Sequence, residues 1–226
     1  MANDYFQFKR FTIHQGLCAM KVGTDGTLLG AWAHGGHRIL DIGTGTGLIA
    51  LMMAQRFTEA HITAIDIDDK AVEQAQQNVD ASPFASRISV EKRDVTTMSA
   101  EITFDSIVCN PPYFVDSLHC PDERRTMARH ADTLTYRDLM ESATRLLADD
   151  GELSVVIPFD CRQRLESEAM LAGLFKVRIC GVKTTLAKPP RRFLLAFKKH
   201  PAPLEQSELV LGSEAYHGMT KGFFLK

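Results

Sequence analysis

From residue 38 onward the sequence alternates short apolar runs with segments of helical spacing, and this alternation restricts the fold more than any other feature. Strands separated by helices of about 10–15 residues pair in parallel, because each crossover returns the chain to the same edge of the sheet. The 226 residues suffice for one such domain. We predict an α/β fold with a doubly wound, mostly parallel sheet. The predicted strands are residues 38–41, 61–67, 88–90, 103–109, 153–157, 177–182 and 193–197.

The last two predicted strands differ from the others in their connection. It is too short to hold a helix and contains Pro189-Pro190, so these strands are expected to form an antiparallel hairpin at the edge of the sheet. The tail, residues 213–224, is expected to form a short packed helix or turn.

The segment ahead of the alternating region has its own pattern. Residues 5–14 alternate aromatic and polar side chains, as in a short strand or an extended cover. Thr24 or Asp25 is placed to cap a helix that continues to Trp32.

Charge and metal-ligand spacing exclude several classes of protein. A net charge of −2 excludes a generally basic nucleic-acid coat, so any RNA contact must come from local patches. The five cysteines form no C-x-x-C pair and the histidines show no ligand spacing, so neither a metal site nor disulfides are expected. We see no membrane-spanning run and no signal peptide, and we expect a cytoplasmic protein that is a monomer.

A glycine-rich turn joins the first regular strand to its helix and is the first candidate binding site. It reads Asp-Ile-Gly-Thr-Gly-Thr-Gly over residues 41–47. Glycines let the backbone approach a ligand, and the following helix N-terminus presents free N–H groups. The spacing is not the G-x-G-x-x-G of dinucleotide enzymes. The acid ahead of it would repel a pyrophosphate but suits a cationic amino-acid group. The predicted cofactor contacts here are Asp41, Gly43, Thr44, Gly45 and Gly47.

Two further carboxylates end the next two strands. Asp66 is placed to accept both hydroxyls of a ribose. Its alternative role is to cap the following helix, for which Asp68 and Asp69 compete. Asp94 is placed to accept the amino group of an adenine. We predict both Asp66 and Asp94 as cofactor contacts.

The second candidate site is Asn110-Pro111-Pro112-Tyr113, directly after the predicted strand 103–109. The prolines have no N–H and fix their own φ, so the loop is rigid and presents carbonyl oxygens. Asn110 adds a side-chain acceptor and Tyr113 a flat face for stacking. This set suits a planar substrate with an exocyclic amino group. The alternative is a strand that simply ends at a Pro-Pro turn.

The two candidate sites come together if the first regular strand neighbours the fourth. In doubly wound sheets, ligands lie at the carboxyl ends of the strands, where the winding direction reverses. Residues 41–47 and 110–113 would then face each other across one crevice. A nucleoside-type cofactor would meet a flat amine there.

These segments, in this order, resemble the class I S-adenosylmethionine-dependent methyltransferases, and the Asn-Pro-Pro-Tyr element resembles their amino-group branch. Residues 21–32, 41–47, 110–113 and 128–130 more closely resemble the bacterial tRNA1(Val) adenine-N6 methyltransferases. The resemblance covers nearly the whole chain. It implies a seven-stranded sheet with one antiparallel strand. It also implies S-adenosylmethionine as cofactor, and as substrate the adenine immediately 3′ of the anticodon in a valine-accepting tRNA.

The resemblance also implies roles for individual residues. Asn110, Pro111, Pro112 and Tyr113 would be catalytic, and Asn110 would also contact the cofactor. Residues 1–35 would be an N-terminal extension that covers the cofactor and substrate site, and residues 36–226 the class I methyltransferase domain. Local positive charge, and not the resemblance, gives the candidate RNA contacts Lys9, Arg10, Arg124, Arg125, Arg129, His130, Lys188, Arg191, Arg192, Lys198 and Lys199. For Lys21 three roles stay open: a contact with the cofactor, a contact with the RNA backbone, or a place at the helix start.

Three other functions remain open at this point. The same Asn-Pro-Pro-Tyr element serves methylation of a ribosomal-RNA base or a protein glutamine, although the short segment ahead of Asp41 disfavours the glutamine enzymes. A cofactor- or RNA-binding module without catalytic activity is the second. A nucleotide-dependent oxidoreductase is the third, and the glycine spacing disfavours it. Cys109 would allow a covalent mechanism, but a buried strand thiol fits its position better.

Overall fold

The computed structural model describes residues 4–18, 20–112 and 134–225. Ten strands and six helices lie in these ranges. The strands are β1 (Tyr5–Gln7), β2 (Thr12–His14), β3 (Arg38–Ile42), β4 (His61–Asp66), β5 (Ile88–Lys92), β6 (Phe104–Cys109), β7 (Leu147–Pro158), β8 (Phe175–Lys183), β9 (Arg192–Lys198) and β10 (Glu205–Val210). The helices are α1 (Thr24–Trp32), α2 (Leu48–Arg56), α3 (Asp69–Asp80), α4 (Tyr136–Leu146), α5 (Arg162–Leu171) and α6 (Glu214–Thr220).

Eight of the described strands form one sheet in the order β10-β8-β9-β7-β6-β3-β4-β5. All neighbouring pairs are parallel except those made by β9, which runs antiparallel to both β7 and β8. The predicted doubly wound, mostly parallel sheet is confirmed, and so is the antiparallel pairing of β8 with β9. The hairpin does not end the sheet, however, because β10 pairs in parallel with the outer side of β8 and adds an eighth strand.

The core lies on both faces of this sheet, because its central strands are buried on both sides. In β3, Ile39 packs into the cluster that contains α1, α2 and part of α3, whereas Leu40 packs into the cluster that contains α4 and α5. Parallel strands covered on both faces have continuous apolar runs in their sequence, which is why the strand predictions for this region are confirmed.

The helix starts follow two different capping arrangements. Thr135 caps α4 in a capping box with Asp138. At α1 the predicted cap is wrong. The N-cap position is Gly23 and no side chain caps it, while Asp25 instead forms an ion pair with Arg192 at the start of β9. The Asp25 carboxylate, which the local pattern assigned to the helix end, is therefore used in a tertiary contact.

The N-terminal segment forms a small β1–β2 hairpin that is separate from the eight-stranded sheet, where the aromatic-polar alternation predicted one short strand or an extended cover. Asn78 of α3 fixes it in place. Its side-chain amide accepts a hydrogen bond from the His14 backbone N–H (2.8 Å) and donates to the His14 carbonyl (2.8 Å) and to the Thr46 carbonyl (2.8 Å). The predicted tail helix corresponds to α6. None of the helices in the described ranges is long and apolar enough to span a lipid bilayer.

Candidate active site

The glycine turn and the Asn-Pro-Pro segment share one cleft. β3 pairs directly with β6, and Ile42 lies opposite Cys109 in their register. The residues that follow, Gly43 and Asn110, therefore leave the sheet side by side at its carboxyl edge. Both line a cleft of about 320 Å³. The pairing of the first and fourth regular strands, on which the predicted juxtaposition depended, is confirmed.

The glycine turn has the backbone geometry that its residue types require. Gly43, Gly45 and Gly47 have φ values of 68°, 55° and 79°, which L side chains rarely adopt. Cβ atoms on Gly43 and Gly45 would meet nothing within 4 Å, so the turn faces open space. Gly47 instead packs against Ala75 of α3 and is the N-cap of α2. The first two glycines therefore leave their backbone open to a ligand.

Asp41 lies beneath this turn and is fully buried. Its Oδ2 accepts hydrogen bonds from the Thr44 hydroxyl (2.7 Å) and the Ala50 backbone N–H (3.1 Å). Its Oδ1 has no hydrogen-bond partner among the described residues. Burial raises the pKa of Asp41 to about 7, although both hydrogen bonds lower it. Asp41 thus supports the turn from below and keeps one acceptor oxygen unused.

Asp66 lies at the end of β4 and is tied to the same turn. Its Oδ2 accepts from the Gly45 N–H (2.9 Å) and its Oδ1 from the Asp68 N–H (3.1 Å). Asp68 is the residue that caps α3, since its side chain accepts from the Lys70 N–H (3.0 Å). Asp66 is therefore not the helix cap. It is half-buried, and each carboxylate oxygen keeps a lone pair for a further donor.

Asp94 lies two residues beyond β5 and is exposed. Its Oδ1 accepts from the Thr96 N–H (2.9 Å) and the Thr96 hydroxyl (2.8 Å), which starts a single 3₁₀ turn. It stands at the same carboxyl edge as Asp66, because β4 and β5 are parallel neighbours. The cleft lining includes neither Asp66 nor Asp94.

Asn110 is half-buried and lines the cleft, and its Nδ2 lies 3.7 Å from the sulfur of Met20. Pro111 is buried and Pro112 half-buried. Tyr113 lies outside the described residues. Burial raises the pKa of Cys109 well above its usual value, so this thiol stays protonated and is unsuited to nucleophilic attack.

The opposite wall of the cleft comes from the segment that precedes the regular sheet. Residues 20–26, together with Leu48, Ile49 and Arg192, complete the lining. Arg192 reaches the cleft from β9 and pairs there with Asp25 of α1. In the sequence, residues 21–26 are marked only by the family resemblance. Their residue types do not by themselves predict a binding site.

Those predicted RNA contacts that the structure describes do not form one surface. Arg192 begins β9 at the carboxyl edge and Arg191 directly precedes it, whereas Lys198 and Lys199 lie at the far end of β9, where Lys199 Nζ donates to the Leu147 carbonyl (2.7 Å). Lys9 Nζ donates to the Lys221 carbonyl (2.6 Å). Arg124, Arg125, Arg129 and His130 lie outside the described residues. Within residues 4–18, 20–112 and 134–225, no three His, Cys, Asp or Glu side chains are grouped to hold a metal ion.

Comparison with known proteins places this geometry in a family. Residues 27–182 match the model of the methyltransferase small domain. A tRNA1(Val) (adenine(37)-N6)-methyltransferase of Bacteroides thetaiotaomicron is 47% identical over 100% of this chain and 99% of its own. The enzyme of the same name from Parabacteroides distasonis is 48% identical over 100% of both chains.

Solved structures agree on the fold. A "predicted O-methyltransferase" from Agrobacterium tumefaciens superposes with a TM-score of 0.66 at 22% identity, covering 88% of this chain and 96% of its own. The glycopeptide N-methyltransferase MtfA, solved in complex with S-adenosylmethionine, gives a TM-score of 0.57 at 12% identity, with coverages of 80% and 90%. At these identities the likeness extends to the fold alone.

Proposed function

The chain belongs to the family of tRNA1(Val) (adenine(37)-N6)-methyltransferases, and on that premise we propose that it transfers a methyl group from S-adenosylmethionine to the N6 amino group of adenine 37 in a valine-accepting tRNA. The observation that carries the proposal is the shared cleft of Gly43–Thr46 and Asn110. It brings a turn suited to a nucleoside cofactor next to an acceptor suited to an amino group.

The residues around the glycine turn fit S-adenosylmethionine. Gly43 and Gly45 open onto free space, where a ligand can lie against the backbone. The unused Oδ1 of buried Asp41 offers an acceptor below the turn, and Asp66 can accept ribose hydroxyls through its remaining lone pairs. Asp94 would accept the adenine amino group of the cofactor, and Thr44, Gly47 and Asn110 complete the set. When bound, the cofactor supplies a methyl group activated by a sulfonium.

Asn110 supplies the chemistry on the substrate side. An adenine amino nitrogen is a poor nucleophile because its lone pair is delocalised into the ring. If Asn110 Oδ1 and the Pro111 carbonyl accept its two hydrogens, the nitrogen moves toward tetrahedral geometry and its lone pair becomes available for in-line attack. The contribution is alignment and fixed dipoles. No general base is needed before the attack, because the amino group loses one of its protons only after the new N–C bond has made the nitrogen cationic. Pro112 keeps the loop rigid and Tyr113 would stack on the target base.

The substrate side of the cleft suits an unpaired base. A base in an anticodon loop is single-stranded, so extruding it costs less than from a duplex. We also propose that residues 1–35 cover this site, since residues 20–26 form one of its walls. The chain would act as a monomer on its tRNA, without a metal ion.

The test measures methylation of an unmodified tRNA1(Val) transcript. It compares the wild-type protein with the Asn110→Ala and Asn110→Asp variants. N6-methyladenosine is quantified by mass spectrometry, and cofactor affinity by calorimetry. We expect Asn110→Ala to keep cofactor binding and to lose about 10²–10³ in kcat. Asn110→Asp, which keeps an acceptor oxygen, should retain more activity than the alanine variant.

Two results would contradict the proposal at different levels. Wild-type protein that leaves adenine 37 unmethylated would reject the substrate. An Asn110→Ala variant with the wild-type rate would reject the role of Asn110 while leaving the substrate standing.

A further inference from the structure

A second surface lies on the carboxyl edge of the sheet, beyond the cleft. β7 ends at Pro158, which pairs with Arg192 at the start of β9. The next residue, Phe159, donates its backbone N–H to the Arg191 carbonyl (3.0 Å), and the Arg191 N–H donates to the Val182 carbonyl (2.9 Å). Three strand ends are therefore linked by backbone hydrogen bonds. We call the surface formed by Phe159, Arg162, Arg191 and Arg192 the β7–β9 rim.

The rim stands close to the proposed catalytic residue. β7 neighbours β6, and Val155 lies opposite Cys109 in their register. Val156 is therefore level with Asn110, and Phe159 lies three residues further along the chain, just after the end of β7. Strand geometry of ~3.3 Å per residue and ~4.8 Å between strands places Phe159 and Asn110 about 11 Å apart. The rim is also continuous with the cleft, since Arg192 belongs to both.

Phe159 is an exposed aromatic side chain packed on a buried one. Its side chain is 57% exposed, while the ring beneath it, Phe193, is only 6% exposed. The two ring centroids are 6.2 Å apart, and the Arg162 guanidinium lies 4.5 Å from the Phe193 ring on the same stack. The short 3₁₀ turn that carries Phe159 is anchored by buried Cys161. Isolated exposed apolar side chains are common, but this one is held in place next to arginines.

The positive charge that the rim offers to a polyanion comes mainly from Arg191. Arg191 is exposed and forms no ion pair among the described residues, whereas Arg162 and Arg192 are half-buried and ion-paired with Glu166 and Asp25. The exposed acid on the rim is Asp160. Single-stranded nucleic acids are bound by this combination of aromatic faces and arginines that follow the backbone. The protein as a whole has a net charge of −2, so such a surface is local.

We propose that the β7–β9 rim binds the single-stranded RNA that flanks the target adenine, with Phe159 stacking on a neighbouring base and Arg191 contacting a phosphate. This inference rests on the proposed function, because it needs an RNA substrate in the cleft. Phe159 and Arg191 hold the substrate and do not touch the reacting atoms. Arg162 supports the stack from the side of Phe193.

The test compares Phe159→Ala and Phe159→Trp with the matched control Phe175→Ala. Phe175 is 46% exposed but begins β8 at the opposite edge of the sheet. Binding of unmodified tRNA1(Val) transcript is measured by fluorescence anisotropy, and steady-state kinetics with the same RNA follow. We expect Phe159→Ala to weaken binding about 10-fold and to raise KM with little change in kcat. Phe159→Trp should restore binding, and Phe175→Ala should bind as wild type.

Arg191→Ala provides the second measurement, with Arg38→Ala at the amino edge as its control. Loss of a phosphate contact should lower the slope of log Kd against log salt by about 1. Calorimetry with S-adenosylmethionine should give unchanged affinity for all these variants.

The outcomes separate the two proposals. If wild-type protein methylates the transcript and Phe159→Ala and Arg191→Ala both bind it as wild type, the rim is not an RNA surface and the proposed function stands. If wild-type protein neither binds nor methylates the transcript, both the proposed function and the inference that the β7–β9 rim binds RNA are rejected. A loss of affinity that Phe175→Ala reproduces would also overturn the inference.

Discussion

Replacing Asp41 by asparagine is expected to change how the stability of the free protein depends on pH. Burial raises the pKa of Asp41 to about 7 in the native state, whereas an unfolded aspartate titrates near 4. Between these values the native state binds more protons than the unfolded state, so stability falls as the pH rises. Above about pH 7 both states are deprotonated and this contribution becomes constant.

The magnitude follows from the size of the shift. A rise in the pKa from near 4 to about 7 corresponds to about 4 kcal/mol of stability lost across the whole window, of which about 2–3 kcal/mol falls between about pH 5 and pH 8. The substituted asparagine side chain cannot ionise, so the Asp41→Asn variant should lack this contribution. Its amide oxygen can still accept from Thr44 and Ala50.

The measurement is urea unfolding of wild-type protein and Asp41→Asn at about pH 5, 6, 7 and 8. The difference in unfolding free energy should move in favour of the variant by about 2–3 kcal/mol over this range. Asp80→Asn, the same exchange at an exposed position of α3, serves as control. Parallel curves for wild-type protein and Asp41→Asn would refute the reasoning, because every other titrating group is common to both.

Three further substitutions test other parts of the structure. Gly45→Ala places a side chain on a residue whose φ is 55° and should lower the free energy of unfolding by about 1 kcal/mol, which corresponds to a fall in Tm of about 2–4 °C. An unchanged Tm in calorimetry would contradict the turn geometry. Thr135→Ala removes the capping box with Asp138 and should cost about 1 kcal/mol in urea unfolding, and a variant as stable as wild type would show that the cap contributes nothing. Glu152→Ala leaves Arg178 buried without its carboxylate at 2.7 Å and should cost about 3–5 kcal/mol. A cost below about 1 kcal/mol would show that this pair is dispensable.

The fold and the site are best predicted from the sequence where buried apolar strands are followed directly by the site residues. The strands β3, β4, β6 and β7 are largely apolar on both faces, and the reversal of winding between β3 and β6 follows from their order. The glycine turn and Asn110 can therefore be placed in one crevice from the sequence alone. The pairing of Ile42 with Cys109 confirms it.

Other parts of the fold leave no comparable pattern. β10 is an edge strand with mostly exposed polar side chains, and it is held by backbone pairing with β8, so no apolar alternation marks it. The local pattern assigns Asp25 to a helix cap because it cannot reveal Arg192, which lies far along the chain. The basic residues near the last hairpin are close in sequence, although the length of β9 separates Arg191 from Lys199.

The side chain of Asn78 has a mechanical consequence for the whole N-terminal region. It hydrogen-bonds to both the β1–β2 hairpin and the glycine turn, so one amide of α3 links the hairpin to the turn. A chain that started at β3 would keep the hydrogen bond from Asn78 to the Thr46 carbonyl, because α3 follows β3 in the sequence. It would lose both hydrogen bonds between Asn78 and His14, and with residues 20–26 it would lose one wall of the cleft and the Met20 sulfur beside Asn110.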